Sequence, residues 1–401
     1  MDNLTHSLIG VTLGRALLRK SKSKTEAAWR SCAVVTAVVA SNIPDGDFLF
    51  FLNRSNEKLG YLIHHRGFTH TIFVSILVSV VLALALSAMY KLNKKQRLQN
   101  IGLAIIAGLL HITADSWNDY GVHPFWPLSN NWYYGDSIFI VEPLLIFSML
   151  PLAYFSAESV WGKRIWVAAG AGILLLAWIS AFSQWWVALW ISCVAGAFYL
   201  WQKRKPQGLL PAVTGVLATL LLFFTAGSLA RKEIRSVLSP GGKKDSEIRQ
   251  LMTSPAPSNP LCWRTLVATV DRYQNYAGHI GFVSLAPKLI QPLECFEQLI
   301  GKQSAPLRPP LVASTDKVFW YADFQAPAKE FIRLENENCT VDAVSRFLRI
   351  PFWKDAGENV VIGDLRYDRE KRRGFAEIEV SKKDKNCLIG VPPWNRPIQL
   401  D

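Results

Sequence analysis

His64-His65-Arg66-Gly67-Phe68-Thr69-His70 runs straight into Thr71-Ile72-Phe73-Val74-Ser75-Ile76-Leu77-Val78-Ser79. From Phe68 to Tyr90 there are 23 residues with no Lys, Arg, Asp or Glu. At 1.5 Å per residue, a helix of that length crosses a hydrocarbon core of about 30 Å. Three imidazoles and a guanidinium at the mouth of such a span are hard to explain as packing. An interfacial anchor would use Trp, Tyr or Lys, whereas ionisable groups beside membrane helices are expensive and mark function.

Working outward, Ile165–Phe182, Gln184–Trp201 and Gln207–Ala230 are also free of charge, Leu98–Ala114 is uncharged until Asp115, and Ile138–Ala157 carries only Glu142. Two weaker segments precede these. Leu4–Leu18 is interrupted by Arg15, and Ala27–Leu52 is broken at Pro44-Asp45-Gly46-Asp47, so its helix is expected to end near Ile43. The expected fold is an α-helical multi-pass membrane bundle of six to eight segments followed by a small α+β domain. The boundaries are 1–230 for the membrane part, 231–260 for a linker and 261–401 for the outer domain. The linker reading rests on Ser239-Pro240-Gly241-Gly242 and on Pro255–Pro260. Beyond it, Trp263–Val270, His279–Leu285, Val318–Phe324, Phe331–Leu334, Val360–Leu365 and Phe375–Val380 read as strands. Leu293–Ile300 and Val341–Leu348 read as helices.

The chain has 401 residues, is half hydrophobic and 19% charged, and carries a formal charge of +13. Disorder, a collagen-like chain and a small disulfide scaffold are excluded. The basic total first suggests nucleic acid, but the placement of the charges answers otherwise. If all eight segments cross, loops 19–30, 91–97, 157–164 and 202–207 hold 14 Lys and Arg, against three (Arg54, Lys58, Arg66) in the loops of the other side. The first set is then cytoplasmic. The loops bearing Asp45, His65 and Tyr120 face outward, as does the C-terminal domain. Trp117, Trp126, Trp132, Trp161 and Trp201 fall near span ends, as an interfacial belt would. No zinc-finger, RNP or Gly-Lys-Ser/Thr signature appears in the outer domain, and no nucleic-acid partner is expected. The start does not read as a signal peptide, since Asp2 and His6 stand where a basic region would. Cys262, Cys295, Cys339 and Cys387 all lie in the outer domain, where an oxidising compartment permits two disulfides in any of three connectivities.

Six of the seven histidines precede residue 124: His6, His64, His65, His70, His111 and His123. They come in four constellations: Asp2 with His6, Asp45 with Asp47, the His64–His70 stretch, and His111 with Asp115. His-x-x-x-Asp places two ligands one turn apart on one helix face. The proposed topology brings all four clusters to one membrane–water boundary. His6, Asp45, Asp47, His65, His70, His111 and Asp115 are therefore the candidate metal ligands. The set is large enough for one divalent ion, most simply Zn2+, or for two or more. Asp45 and Asp136 are candidate proton acceptors and Arg66 a candidate anion holder. Asp2, His64, Asp119, His123 and Glu142 are secondary candidates, with Asn118 nearby.

The pattern Asp2-Asn3-Leu4-Thr5-His6-Ser7, Pro44-Asp45-Gly46-Asp47, His65-Arg66-Gly67-Phe68-Thr69-His70 and His111-x-x-x-Asp115 resembles the YdjM family. Its members are described as bacterial inner-membrane, metal-dependent hydrolases. Tyr120-Gly121, Trp126-Pro127-Leu128-Ser129 and Gly135-Asp136-Ser137-Ile138-Phe139-Ile140 fit as well. So does Pro255-x-Pro257-x-Asn259-Pro260-Leu261-x-Trp263-Arg264, which resembles the entry to the C-terminal part of longer members. Two departures are Thr71, where Ser is common, and Glu142-Pro143, where Asp-Pro is common. The resemblance implies a multi-pass protein of the bacterial cytoplasmic membrane with a metal site. A more distant similarity of the His/Asp pattern to zinc-dependent phospholipase C and single-strand nucleases implies a phosphoester or lipid-linked substrate. Two other classes compete: a non-enzymatic assembly or scaffold protein docking through its outer domain, and a metal-ion transporter. The later spans carry no acidic residue or His, and no inverted repeat is visible, which disfavours transport.

Overall fold

A computed structural model describes residues 1–16, 24–50, 57–180, 184–238, 248–300, 308–367, 374–382, 387 and 390–400. The basic residues Arg19, Lys20, Lys22 and Arg54, the turn near Ser183 and the Pro240-Gly241-Gly242 stretch lie outside the described residues.

The first half is helical: α1 (Asn3–Ala16), α2 (Lys24–Ala40), a 3-10 helix (Ile43–Phe50), α3 (Glu57–His64), a 3-10 turn (Phe68–His70), α4 (Ile72–Met89), α5 (Lys94–Asp115), α6 (Pro143–Ser156), α7 (Val160–Ile179), α8 (Trp185–Arg204) and α9 (Leu210–Leu238). Five of these, α4, α5, α7, α8 and α9, are long and apolar enough to cross a membrane. The expected α1, α2 and α6 segments form helices of 14, 17 and 14 residues, shorter than the others.

The long helices face their surroundings in reverse of a soluble bundle. On α4, Phe73, Leu77, Val81 and Leu84 are exposed, while Ser75, Ser79, Ala83 and Ser87 are buried. In lipid no hydrophobic drive joins helices, so small and weakly polar residues line the contact and let backbones approach. Gly108 of α5 meets that stripe: a Cβ there would lie 2.6 Å from Ser75 Oγ. Likewise Gly10 of α1 lets its helix touch α2, where a Cβ would meet Val38 Cα at 2.7 Å. This close crossing sets His6 beside the end of α2, and Ser41 Oγ donates to the His6 carbonyl at 2.9 Å. α6 sits at the centre, packed by α1, α7, α8 and α9. Its first turn is capped by Glu142, with Pro143 at the position where a missing N–H costs nothing.

The second half forms two small antiparallel sheets. A four-stranded meander holds β1 (Ile248–Ala256), β2 (Asn259–Val270), β3 (Asn275–Ser284) and β4 (Val318–Pro327); a three-stranded sheet holds β5 (Pro351–Ala356), β6 (Asn359–Asp364) and β7 (Ile378–Ser381). Helices α10 (Pro292–Ile300), α11 (Ala328–Glu337) and α12 (Cys339–Ser345) complete the module. Alternation along β2 serves two cores. Trp263 and Val267 pack toward the α6 and α9 cluster, while Cys262, Leu266 and Ala268 pack toward the core of the C-terminal half. Two disulfides, Cys262–Cys295 and Cys339–Cys387, select one of the three connectivities; Cys32 and Cys193 are free.

Two expectations are corrected, and one strand is added. Phe331–Leu334 is part of helix α11, with Ala328, Phe331 and Leu334 buried at three-residue spacing; four apolar-rich residues are too few to separate helix from strand by period. The 231–260 linker is largely structured, because α9 runs to Leu238 and Ile248–Ala256 is β1. Its prolines suggested a loop, yet β1 is an edge strand, where Pro is tolerated. β5 was not anticipated: Lys354 and Asp355 lie on its exposed end.

Candidate metal centre

Three helix ends and turns meet at one point. The turn after α2 supplies Asp45, the 3-10 turn before α4 supplies His70, and the last turn of α5 supplies His111 and Asp115. One ligand atom from each of these four lies within 4.8 Å of the others. His70 Nε2 is 3.3 Å from Asp45 Oδ1, 3.1 Å from Asp115 Oδ2 and 3.0 Å from His111 Nε2. His111 Nε2 is 3.6 Å from Asp45 Oδ1 and 3.4 Å from Asp115 Oδ2. A tetrahedral ion with ligands at about 2.0–2.1 Å spaces its ligand atoms about 3.3 Å apart. The five edges bracket that value.

The tautomers make the same case. His111 Nδ1 lies 2.8 Å from the Ser41 carbonyl, which can only accept, so Nδ1 carries the proton and a neutral ring turns its Nε2 lone pair inward. His70 Nδ1 faces Thr69 Oγ1 at 3.1 Å and Asp47 Oδ2 at 3.6 Å, again leaving Nε2 for the cluster. Two lone pairs and two carboxylates thus converge with no donor of their own. A buried set of acceptors needs a cation or a proton. Without metal, burial would lower the His70 pKa, but hydrogen bonds and charge from Asp115 and Asp45 prevail and raise it to about 9. Burial likewise works to raise Asp45, yet the His70 hydrogen bond and nearby imidazoles hold it below the ordinary carboxylate range. The residues fit a divalent ion.

Around these four stands a second ring. Asp47 accepts from His65 Nδ1 at 3.0 Å and from the Arg66 backbone N–H at 2.9 Å. Arg66 has φ of 58°, a left-handed conformation uncommon outside Gly, and Asp47 holds it there. His6 Nε2 lies 3.2 Å from Asp115 Oδ1, with its ring stacked on His111 at 3.9 Å. The same oxygen meets the α-amino group of Met1 and Arg66 Nη2, leaving Oδ2 for the cluster. Arg66 also donates to Asn118 Oδ1 at 2.9 Å and lies over the Tyr120 ring, while its Nε is buried without a partner. Exposure remains at Asp45, 13%, and His65, 14%, while His6, His70, His111 and Asp115 are fully buried.

The remaining sequence candidates go elsewhere. Asp2 caps α1, accepting from the Thr5 N–H and hydroxyl. His64 ends α3. Asp119 faces Arg264 at 3.6 Å. His123 is wedged between Trp132 and Trp394, its Nδ1 on the Arg66 carbonyl, and burial lowers its pKa to about 3. Glu142 accepts from the Leu144 and Ser258 N–H groups and the Ser258 hydroxyl. The role of proton acceptor does not suit Asp136. Both its oxygens pair with the Arg349 guanidinium at 2.7 Å. Sequence reasoning missed the Ser41 carbonyl, Arg349 and Trp394. A backbone acceptor leaves no trace in composition, and the other two lie more than 200 residues from the groups they touch.

Among known proteins, no solved structure matches this chain. An uncharacterised protein of Bacillus subtilis (strain 168), YfhP, is 26% identical over 162 residues, which is 40% of this chain and 46% of that relative. The chain thus spans under half the length of the curated relative it matches. Over residues 1–187, the part that carries every ligand of the cluster, the chain matches the family described as YdjM inner membrane protein.

Proposed function

We propose that the protein is a membrane-bound metal-dependent hydrolase whose His/Asp site opens at the outer face of the cytoplasmic membrane. The observation that carries this reading is the convergence of four acceptor atoms, three of them buried, with five separations of 3.0–3.6 Å and two tautomers set by groups behind. A divalent ion there, most simply Zn2+, would lower the pKa of a bound water to near 7 and polarise a phosphoryl or acyl oxygen. Asp45, the ligand nearest the opening, is placed to take the proton from water. Arg66 is placed to hold an anionic group beside Asp115. A phosphoester or lipid-linked substrate suits an opening at the membrane surface.

The orientation rests on two independent supports. Lys and Arg crowd the loops of the other side, 91–97, 157–164 and 202–207. The two disulfides of the outer domain belong to an oxidising compartment. We also read α1, α2 and α6 as crossing, because the starts of α1 and α6 and the end of α2 share the layer of the metal ligands.

Metal analysis after purification without chelator tests the centre. At least one equivalent of divalent ion is expected in the wild type and little in His70→Ala or Asp115→Asn; equal metal in all three would sink the reading. Hydrolysis of bis-(p-nitrophenyl) phosphate and of vesicle phospholipid should fall by about 100-fold or more in His111→Ala. For orientation, a membrane-impermeant maleimide should label Leu289→Cys in intact cells and spare Lys94→Cys.

A further inference from the structure

A cavity of about 640 Å3 lies where the C-terminal segment meets loop 118–137, away from the residues of the metal cluster. Every charged side chain on its wall is a guanidinium: Arg249 at the start of β1, Arg346 after α12, and Arg396. Asn131 and Gln399 add amide donors. Two neighbouring carboxylates lie outside the wall: Glu335, 3.5 Å from Arg396 Nη1, and Asp342. Asp342 accepts from Arg396 Nη2 at 2.6 Å and Arg346 Nη2 at 3.4 Å, so it orients the two guanidiniums without filling the space between them. Arg346 is further held by the Pro392 and Trp394 carbonyls, and its Nε is buried with no acceptor. Three planar cations around one open cavity make a receptor for a tetrahedral anion.

The wall also contains Trp394, and that residue reaches the metal motif. Its Nε1 donates to the Ile63 carbonyl at 3.0 Å. Its ring stacks on His123 at 3.9 Å and meets Phe68 at 4.9 Å. A Cβ on Gly67 would lie 3.2 Å from its Cζ2. The tryptophan therefore props the turn from which Arg66 and His70 project.

We propose that this cavity binds a phosphate group, carried by a soluble monoester or by a lipid head, and that its occupation is felt at the metal centre through Trp394. The coupling rests on the metal reading above; the binding does not.

Full-length protein in neutral phosphatidylcholine nanodiscs, stripped of metal with chelator, is titrated with glycerol 3-phosphate by calorimetry. In parallel, retention of phosphatidylglycerol against phosphatidylcholine is read by native mass spectrometry. Binding in the first arm identifies a soluble monoester, and binding in the second arm alone identifies a lipid head. In whichever arm binds, Arg249→Gln and Arg396→Gln should each weaken it about tenfold, which is about 1.4 kcal/mol. Arg249→Gln, at an exposed position, keeps the test valid if the other variant folds poorly. No binding in either arm, or binding indifferent to both substitutions, overturns the site. Zn2+ affinity is then measured by dye competition with and without saturating anion. A shift of about threefold or more is expected in the wild type and its loss in Trp394→Phe. An unshifted wild type overturns the coupling. A protein that binds phosphate but no metal fails the functional reading and leaves the cavity assignment standing.

Discussion

Two carboxylates show how much a residue's surroundings decide. Asp47 touches no other member of the four-ligand set directly except through His70 Nδ1, yet it holds His65, the Arg66 backbone and the His70 ring. Partners of this kind orient ligands and typically govern 10–100-fold in metal affinity. Asp47→Asn is expected to weaken Zn2+ binding by about that range while retaining a site, whereas His70→Ala should abolish it; dye competition separates the two. Glu142 is buried against Ser258, and burial raises its pKa from 4.5 to about 7 despite three hydrogen bonds. The folded state then keeps a proton that the unfolded chain releases near pH 4.5. Its contribution is fully present below that pH, declines as pH rises to about 7 and is flat beyond, a swing of roughly 3 kcal/mol. The apparent Tm of the purified protein should fall between pH 5 and 7.5, and Glu142→Gln should flatten that fall.

At the scale of elements, the spans were legible because charge-free runs of about 20 residues seldom occur outside a membrane. Their ends moved by several residues: the Phe68–Tyr90 run became a 3-10 turn and then α4 from Ile72. Thr71 makes the break, since its side chain accepts from the Val74 N–H and caps the new helix. What periodicity does not show is which helices touch backbone to backbone. Gly10 and Gly102 look alike in sequence, but a Cβ at Gly10 would strike α2, while one at Gly102 meets nothing within 4 Å. Gly10→Leu should force α1 off α2, displace His6 and Ser41, and lower bound metal by tenfold or more. Gly102→Ala should leave metal content unchanged and stability equal or slightly higher, by up to about 1 kcal/mol. Metal analysis and thermal melts of the pair check both.

Across the whole molecule, the C-terminal module is joined to the helical half by buried ion pairs and long side chains. Arg349 grips Asp136, Arg366 donates to the Asp119 carbonyl, and Trp132 donates to the Arg346 carbonyl. Breaking one member of a buried pair leaves an uncompensated charge, at about 3–5 kcal/mol. Asp136→Asn and Arg349→Met should each destabilise by that order. The double variant should recover much of the loss, because neither charge is then stranded. Equilibrium unfolding of the four proteins gives the coupling directly.

Sequence alone determined that the first half is a bundle of long apolar helices, that His and Asp gather in its first 115 residues at short spacing, and that four cysteines of the C-terminal half can pair. Each follows from local quantities: run length, charge placement and spacing along one helix. Only the tertiary structure decided that Asp45, His70, His111 and Asp115 form the inner set, with Asp47, His65 and His6 around them. It also turned Asp136 from a candidate base into an ion-pair partner and brought Trp394 under the His-Arg-Gly turn. The physical reason is that ligand geometry is set by helix crossings of a few ångströms and by backbone carbonyls such as that of Ser41. Neither depends on which residues are near in the chain.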